Sequence, residues 1–204
     1  MNIADLQANL DGVRAWRKVE LSYARGLAER QRGSAEEGYL CRAWVMMIYA
    51  HCDQALKLIA QQYIEFLKEN PRGSYDYRTV WIAFFGKEAL RNTSDSRFLL
   101  CSKNDDGSRA IQLNNIKGNE VFKSGNFSYP LLRFFVEWVI QANFVHQDYK
   151  GFCETLKEKR DGIAHGEEIR IQSVDDCLSW HGPAISLLDT LVEATMDTAL
   201  THLR

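Results

Sequence analysis

The sequence predicts an all-α protein: a helical bundle of four to five main helices with an irregular insertion in the middle. Three observations predict this fold class. Apolar residues recur at helical spacing in long runs at both ends of the chain. Only three prolines occur among the 204 residues, which suits long helices. Residues 92–127 are instead rich in Asn, Ser, Asp and Gly, which predicts irregular structure inserted between helices.

The composition is that of a folded chain of one-domain size. Hydrophobic residues make up 46% and aromatic residues 11%, and the length predicts a single domain over residues 1–204. A net charge of -2 and a pI of about 6.2 argue against a domain that coats nucleic acid by bulk positive charge but are compatible with a local basic groove. Five cysteines without a C-x-x-C pair predict reduced thiols in a cytoplasmic protein. Charges interrupt every apolar run, so we expect no membrane span.

Two long helices are predicted in the first third of the chain. The first covers residues 3–31. Ser34 and Glu37 have the spacing of a capping box and predict the start of the second helix, which runs to about Asn70 and is stopped by Pro71. This second helix is apolar over most of its circumference, which predicts a central position in the bundle. Its main apolar stripe consists of Cys41, Val45, Ile48, Cys52, Ala55, Ile59, Tyr63 and Phe66.

The remaining helices follow from their start and stop signals. A shorter helix is predicted over residues 76–91, before the insertion. After the insertion, Ser128 and Pro130 predict the start of a helix that runs to about Asn143. Asp148 predicts the cap of the next helix, over residues 149–165, which Gly166 stops. Ser173 predicts the start of the last helix, which we expect Gly182 and Pro183 to kink.

The stretch EKRDGIAHGEE, residues 158–168, carries the candidate chemistry. On an ideal helix Arg160, Asp161 and His165 lie within an arc of about 140°. Asp161 and His165 are four residues apart, so the carboxylate can orient the imidazole and stabilise its protonated form. The guanidinium of Arg160 can hold a phosphate oxygen.

These side chains suit cleavage of the RNA backbone without a metal. Histidine can transfer protons near neutral pH, and arginine can stabilise negative charge on phosphorus. Because one histidine does not easily perform both proton transfers, we expect a two-fold dimer to bring a second Arg160/His165 pair into the same cleft. The alternative interpretation is structural: two cations in the last turn of a helix, favoured by the helix dipole.

The residues around the motif resemble the HEPN superfamily, whose signature is Arg, a polar residue, a short spacer and His, commonly as RNxxAHG. This chain has RDGIAHG from Arg160 to Gly166. The stretch IYAHCDQALKLIAQQYIEFL, residues 48–67, is similar to the N-terminal helix of the bacterial MAE-type group. The resemblance covers about residues 35–70 and 128–204.

The resemblance implies a homodimeric, metal-independent endoribonuclease that needs no cofactor and acts on RNA. Such proteins are often toxins of toxin–antitoxin or phage-defence systems, which implies a cognate antitoxin or another operon partner. Arg160 and His165 are then catalytic, Asp161 is the polar auxiliary, and Asp53 matches the acid of the N-terminal helix, with His51 beside it.

Other interpretations of the same residues remain open. His51 flanks the apolar stripe of its helix and can be a hydrogen-bonded histidine of the core. Asp53 is four residues before Lys57 and can be half of an ordinary helix-surface ion pair. At the level of the whole chain, the alternatives are a non-catalytic HEPN module that binds a nucleotide or a partner protein, and a helical scaffold subunit.

Overall fold

A computed structural model describes residues 1–70, 126–167, 171 and 173–204, without the side chain of Trp138. Within this part of the chain every regular element is helical, which confirms the predicted all-α bundle. The α-helices are α1 (Ile3–Arg30), α2 (Glu37–Glu69), α3 (Tyr129–Phe134), α4 (Lys150–Ala164) and α5 (Val174–His202). A π-helical segment, Phe135–Ile140, continues α3, and a 3-10 turn, His146–Tyr149, leads into α4.

The centre of the bundle is α2, as its nearly all-round apolar sequence predicts. It packs against α1, α4, α5 and the π-helical segment. All eight residues of its predicted apolar stripe are buried. The helix α2 is buried on opposite sides. Residues two positions apart along it point about 200° away from each other, so they contact different helices. That division determines which α2 residues can reach the candidate site.

Charged pairs join α1 to α5 around the apolar core. Asp189 of α5 accepts hydrogen bonds from Lys18 at 2.8 Å and from Arg14 at 3.4 Å. Arg32, just after α1, pairs with Asp175 in the first turn of α5 at 2.8 Å. Since these pairs are partly exposed and screened by solvent, each contributes little to stability, and the apolar core supplies most of the packing energy.

The predicted capping box at the start of α2 is wrong. The helix begins at Glu37 rather than at Ser34, and its N-cap residue makes no side-chain capping bond. The Glu37 carboxylate instead accepts the backbone N–H of Gly33 at 2.5 Å and that of Val174 at 3.0 Å. It therefore ties the α1–α2 turn to the start of α5, a contact 137 residues away in sequence.

The helix predicted from Ser128 to about Asn143 is shorter and less regular than expected. After α3 the hydrogen bonding becomes π-helical and ends at Gln141, whose φ is 52°. His146 then folds back, with Nδ1 3.1 Å from the hydroxyl of Tyr129 and Nε2 3.0 Å from the carboxylate of Glu137. Asp148 makes no capping bond to α4, so that part of the prediction is also wrong.

Other predicted signals fall where expected. Ser173 caps α5 through a capping box with Asp176, and Gly166 ends the α4 turn with a φ of 73°. The helix α5 continues through Pro183, and the kink predicted at Gly182 and Pro183 stays a prediction. The predicted helix over 76–91 and nearly all of the insertion over 92–127 lie outside the described residues.

Within the part of the chain that the structure describes, no helix combines the length and apolar character that crossing a membrane requires.

Candidate active site

The C-terminal end of α4 places the motif residues. His165 is the C-cap residue, and the positive φ of Gly166 lets the chain reverse there. Glu167 donates its N–H to the carbonyl of Gly162 at 2.9 Å, and Gly166 donates to that of Ile163 at 3.2 Å. This pair of bonds is the Schellman arrangement, in which glycine is favoured because it lacks a Cβ. The turn leaves the imidazole of His165 exposed to solvent at the helix end.

The guanidinium of Arg160 is held from two sides. Its Cζ lies 4.9 Å from the ring centroid of Tyr49, within the range of a cation–π contact. Its Nη1 donates to Oδ1 of Asp161 at 2.8 Å. The side chain remains 29% exposed, so it is positioned and still accessible to an anion.

The carboxylate of Asp161 bridges two cations, Lys157 and Arg160, rather than orienting the imidazole of His165. Lys157 donates to its Oδ2 at 2.5 Å, while Arg160 donates to its Oδ1. Hydrogen bonds from Lys157 and from Arg160 hold the pKa of the Asp161 carboxyl below its ordinary value. The only bond between Asp161 and His165 joins backbone atoms: the N–H of His165 donates to the Asp161 carbonyl at 2.9 Å.

Behind Arg160, α2 clamps the backbone of Phe127. Oδ1 of Asp53 accepts the N–H of Phe127 at 2.9 Å, and the hydroxyl of Tyr49 donates to its carbonyl at 3.1 Å. The two α2 residues are one helical turn apart, so they face the same side. The other oxygen of Asp53 pairs with Lys57 at 2.6 Å, as the structural interpretation expected. Asp53 therefore has both an ion pair and a role in positioning the chain beside the site.

Burial makes the phenol of Tyr49 a fixed, neutral group. The residue is 5% exposed, and its ring meets that of Phe127 edge-on at 6.0 Å. Burial raises the pKa of Tyr49 to about 12, with the positive charge of Arg160 acting in the opposite direction. The hydroxyl thus stays protonated at neutral pH and can keep donating to the Phe127 carbonyl.

The structure places His51 on the other side of α2, away from Arg160. Its Nε2 lies 3.0 Å from the carboxylate of Glu20 on α1, and its ring meets that of Trp16 edge-on at 5.2 Å. Burial lowers the pKa of the imidazole. On a helix, residues 51 and 53 point about 200° apart, which explains the separation. Within one chain, His51 therefore lies outside the predicted site and is a hydrogen-bonded histidine at the edge of the core.

One helix end therefore combines a positioned guanidinium, an exposed imidazole, and a carboxylate that holds the guanidinium. Sequence reasoning identified Arg160 and His165 but missed the second cation, Lys157, and the aromatic platform, Tyr49. Lys157 could have been found, because a position four residues before Asp161 shares its helix face. Tyr49 lies 111 positions from Arg160 along the chain, so no local signal pointed to it.

The helical bundle and this helix end define a protein of the HEPN superfamily, a class that is often ribonucleolytic. The chain belongs to the MAE_28990-like HEPN family, whose model matches residues 6–201. This confirms the family resemblance, including its MAE type. No curated protein and no solved structure matches the chain.

Proposed function

We propose that the protein is a metal-independent endoribonuclease that cleaves RNA through attack of a ribose 2′-hydroxyl on the adjacent phosphorus. The observation that carries the proposal is the state of Arg160: it is held by the Tyr49 ring and the Asp161 carboxylate, yet still 29% exposed, at the same helix end as the exposed His165. A fixed guanidinium stabilises charge that develops on phosphorus without reorganising during the reaction. An exposed imidazole can reach a substrate proton.

The reaction needs two proton transfers. A base removes the proton of the 2′-hydroxyl, the O2′–P bond forms, and the P–O5′ bond breaks as an acid protonates the leaving oxygen. The products are a 2′,3′-cyclic phosphate and a free 5′-hydroxyl. One His165 can act as the base while His165 of a second chain acts as the acid, so a two-fold dimer that joins the α4 ends would complete the site.

Asp161 has a supporting role in this proposal. Its carboxylate binds Lys157 and Arg160 through separate oxygens, leaving the group of three with one net positive charge. Lys157 is 44% exposed and lies one turn before Arg160 on the same helix, so it can contact a phosphate next to the one being cleaved. Asp161 positions the guanidinium and does not itself transfer a proton.

Cleavage in the presence of EDTA tests the proposal. Wild-type protein should cut RNA and leave 2′,3′-cyclic ends, whereas His165→Ala and Arg160→Ala should each lose at least about 100-fold in rate, the usual contribution of such groups. Arg133→Ala is the matched control, since Arg133 is an exposed helical arginine paired to a carboxylate. Equal cutting by wild type and His165→Ala would remove the assignment.

We further propose that this activity serves as a toxin in a toxin–antitoxin or phage-defence system, with a cognate antitoxin or operon partner. Induced expression of the wild type should then arrest growth, and the Arg160→Ala/His165→Ala double variant should be harmless. Harmless expression of an active nuclease would separate the activity from the toxin role.

A further inference from the structure

A line of exposed residues runs along the outer face of α1. Residues 5, 8, 12, 16, 19, 23, 27 and 30 are all exposed and lie within an arc of about 100°. From residue 5 to residue 30 the line takes seven steps over 25 positions, an average of about 3.57 residues per turn, so it stays nearly straight over roughly 38 Å. It includes four large apolar side chains: Trp16 at 48%, Val19 at 52%, Tyr23 at 72% and Leu27 at 46% exposure. A contiguous apolar stripe of this kind marks an interaction surface.

The line of residues on one copy of α1 complements the same line on a second copy that runs in the opposite direction. An antiparallel copy centred between residues 17 and 18 puts each large apolar side chain against a small or apolar one and opposite charges at both ends. The resulting pairs are Asp5 with Arg30, Ala8 with Leu27, Gly12 with Tyr23, and Trp16 with Val19. We propose that α1 docks antiparallel onto α1 of a second copy of this chain in this register. The contact is isologous, as in most homodimers.

The middle of the stripe has the shape that the pairing needs. A Cβ placed on Gly12 would meet nothing within 4 Å, so the surface at this position has room for a side chain of a second copy. The ring of Tyr23, the most exposed of the four apolar side chains, fits against such a position. The Trp16 ring is held from its own chain by the guanidinium of Arg17, whose Cζ is 4.4 Å from the centroid, and by His51. A rigid aromatic at the centre of an interface binds at low entropic cost.

The ends of the stripe set direction and register. Asp5 accepts one backbone N–H from Asn2 through Oδ2, at 2.9 Å, and a carboxylate has capacity for further donors. In the antiparallel register the guanidinium of Arg30 reaches this carboxylate. A parallel pair would instead place Asp5 beside Asp5 and Arg30 beside Arg30, which is repulsive.

This surface is separate from the candidate active site. His51 contacts α1, whereas Tyr49 and Asp53, on the other side of α2, contact Phe127 and the Arg160 guanidinium. Pairing through α1 therefore leaves the C-terminal end of α4 uncovered. The interface does not depend on the proposed nuclease activity and differs from the pairing of α4 ends that this activity requires.

The mass of the assembly in solution tests the surface. Tyr23→Asp should reduce the mass measured by light scattering to half or less, because it buries a carboxylate against Gly12 of the other copy. Tyr39→Asp is the matched control: Tyr39 is a tyrosine of similar exposure, 67%, on α2 and off the stripe. A mass unchanged by Tyr23→Asp, or lowered equally by Tyr39→Asp, would overturn the proposal.

Cross-linking tests the register. In a Cys101→Ser background, the Gly12→Cys/Tyr23→Cys variant should form an intermolecular disulfide under mild oxidation, while either single change should not. The four described native cysteines are buried and should not compete. Failure of the double variant to cross-link at a concentration where wild type is assembled would refute the antiparallel register. RNA cleavage by Tyr23→Asp should match wild type, which separates this interface from the active site.

Discussion

The contact between Arg160 and Tyr49 gives a sharp test of how the site is built. Replacing Tyr49 by Leu removes the ring under the guanidinium, and a cation–π contact of a partly desolvated arginine is worth about 1–2 kcal/mol. If that energy holds Arg160 where charge develops on phosphorus, the cleavage rate should fall about 5- to 30-fold. Tyr49→Phe keeps the ring and should keep the rate.

The same pair of variants separates positioning from stability. Tyr49→Phe leaves the buried carbonyl of Phe127 without its donor, which costs about 1–3 kcal/mol of unfolding free energy. The Phe variant should therefore melt earlier yet cleave normally, while the Leu variant loses both. Single-turnover cleavage of a defined RNA, measured well below both melting temperatures, makes the comparison. Equal rates for Tyr49→Leu and Tyr49→Phe would refute the role of the ring.

Two further predictions concern pH and local packing. Lys157 and Arg160 lower the pKa of Asp161, so its contribution to stability is present above the unfolded pKa of about 3.9 and is lost as pH falls through the lower folded pKa. Urea unfolding measures the stability difference between wild type and Asp161→Asn. This difference should shrink from pH 5 downward, and a difference that stays constant would contradict the stabilising role of the Asp161 carboxylate. Glu37→Gln should lower the melting temperature because two backbone N–H groups lose a charged acceptor, whereas Glu36→Gln, at an exposed neighbour, should not.

The end of α4 could be predicted from the sequence because its structure is local. Gly166 supplies the positive φ that ends the helix, and the preceding turn then fixes where Arg160 and His165 point. The start of α5 is similar, since Ser173 and Asp176 form a capping box within four residues. In both places the deciding hydrogen bonds join residues close in sequence.

The sequence misled where a distant partner offered a better bond. Ser34 and Glu37 have capping-box spacing, but Glu37 instead takes the N–H of Val174, which only the folded chain brings near. The π-helical segment from Phe135 to Ile140 likewise has no simple local signature; it ends at Gln141, and His146 then packs back against Glu137. Tertiary contacts override local propensity in each case.

His51 and Asp53 show how much helix geometry alone can decide. Both match the family pattern of the N-terminal helix, yet two positions along a helix turn a side chain by about 200°. Once Asp53 faces Phe127 and the site, His51 must face away from it. The partition of α2 was therefore available from the sequence, whereas the identity of the neighbours on each side was not.

Because α2 has different neighbours on its two sides, the two proposed contacts between copies of the chain can be distinguished experimentally. A two-fold pairing of α4 ends would be sensitive to changes around Arg160 and His165, while the α1 stripe responds to Tyr23. If the α1 stripe and the C-terminal end of α4 are independent, Tyr23→Asp lowers the mass of the assembly without slowing cleavage, and Tyr49→Leu slows cleavage without lowering the mass. A variant on either face that changed both the mass and the cleavage rate would mean that α2 couples the two faces. On one side of α2, His51 contacts Trp16 of the stripe, and on the other side Tyr49 contacts Phe127 near the candidate site.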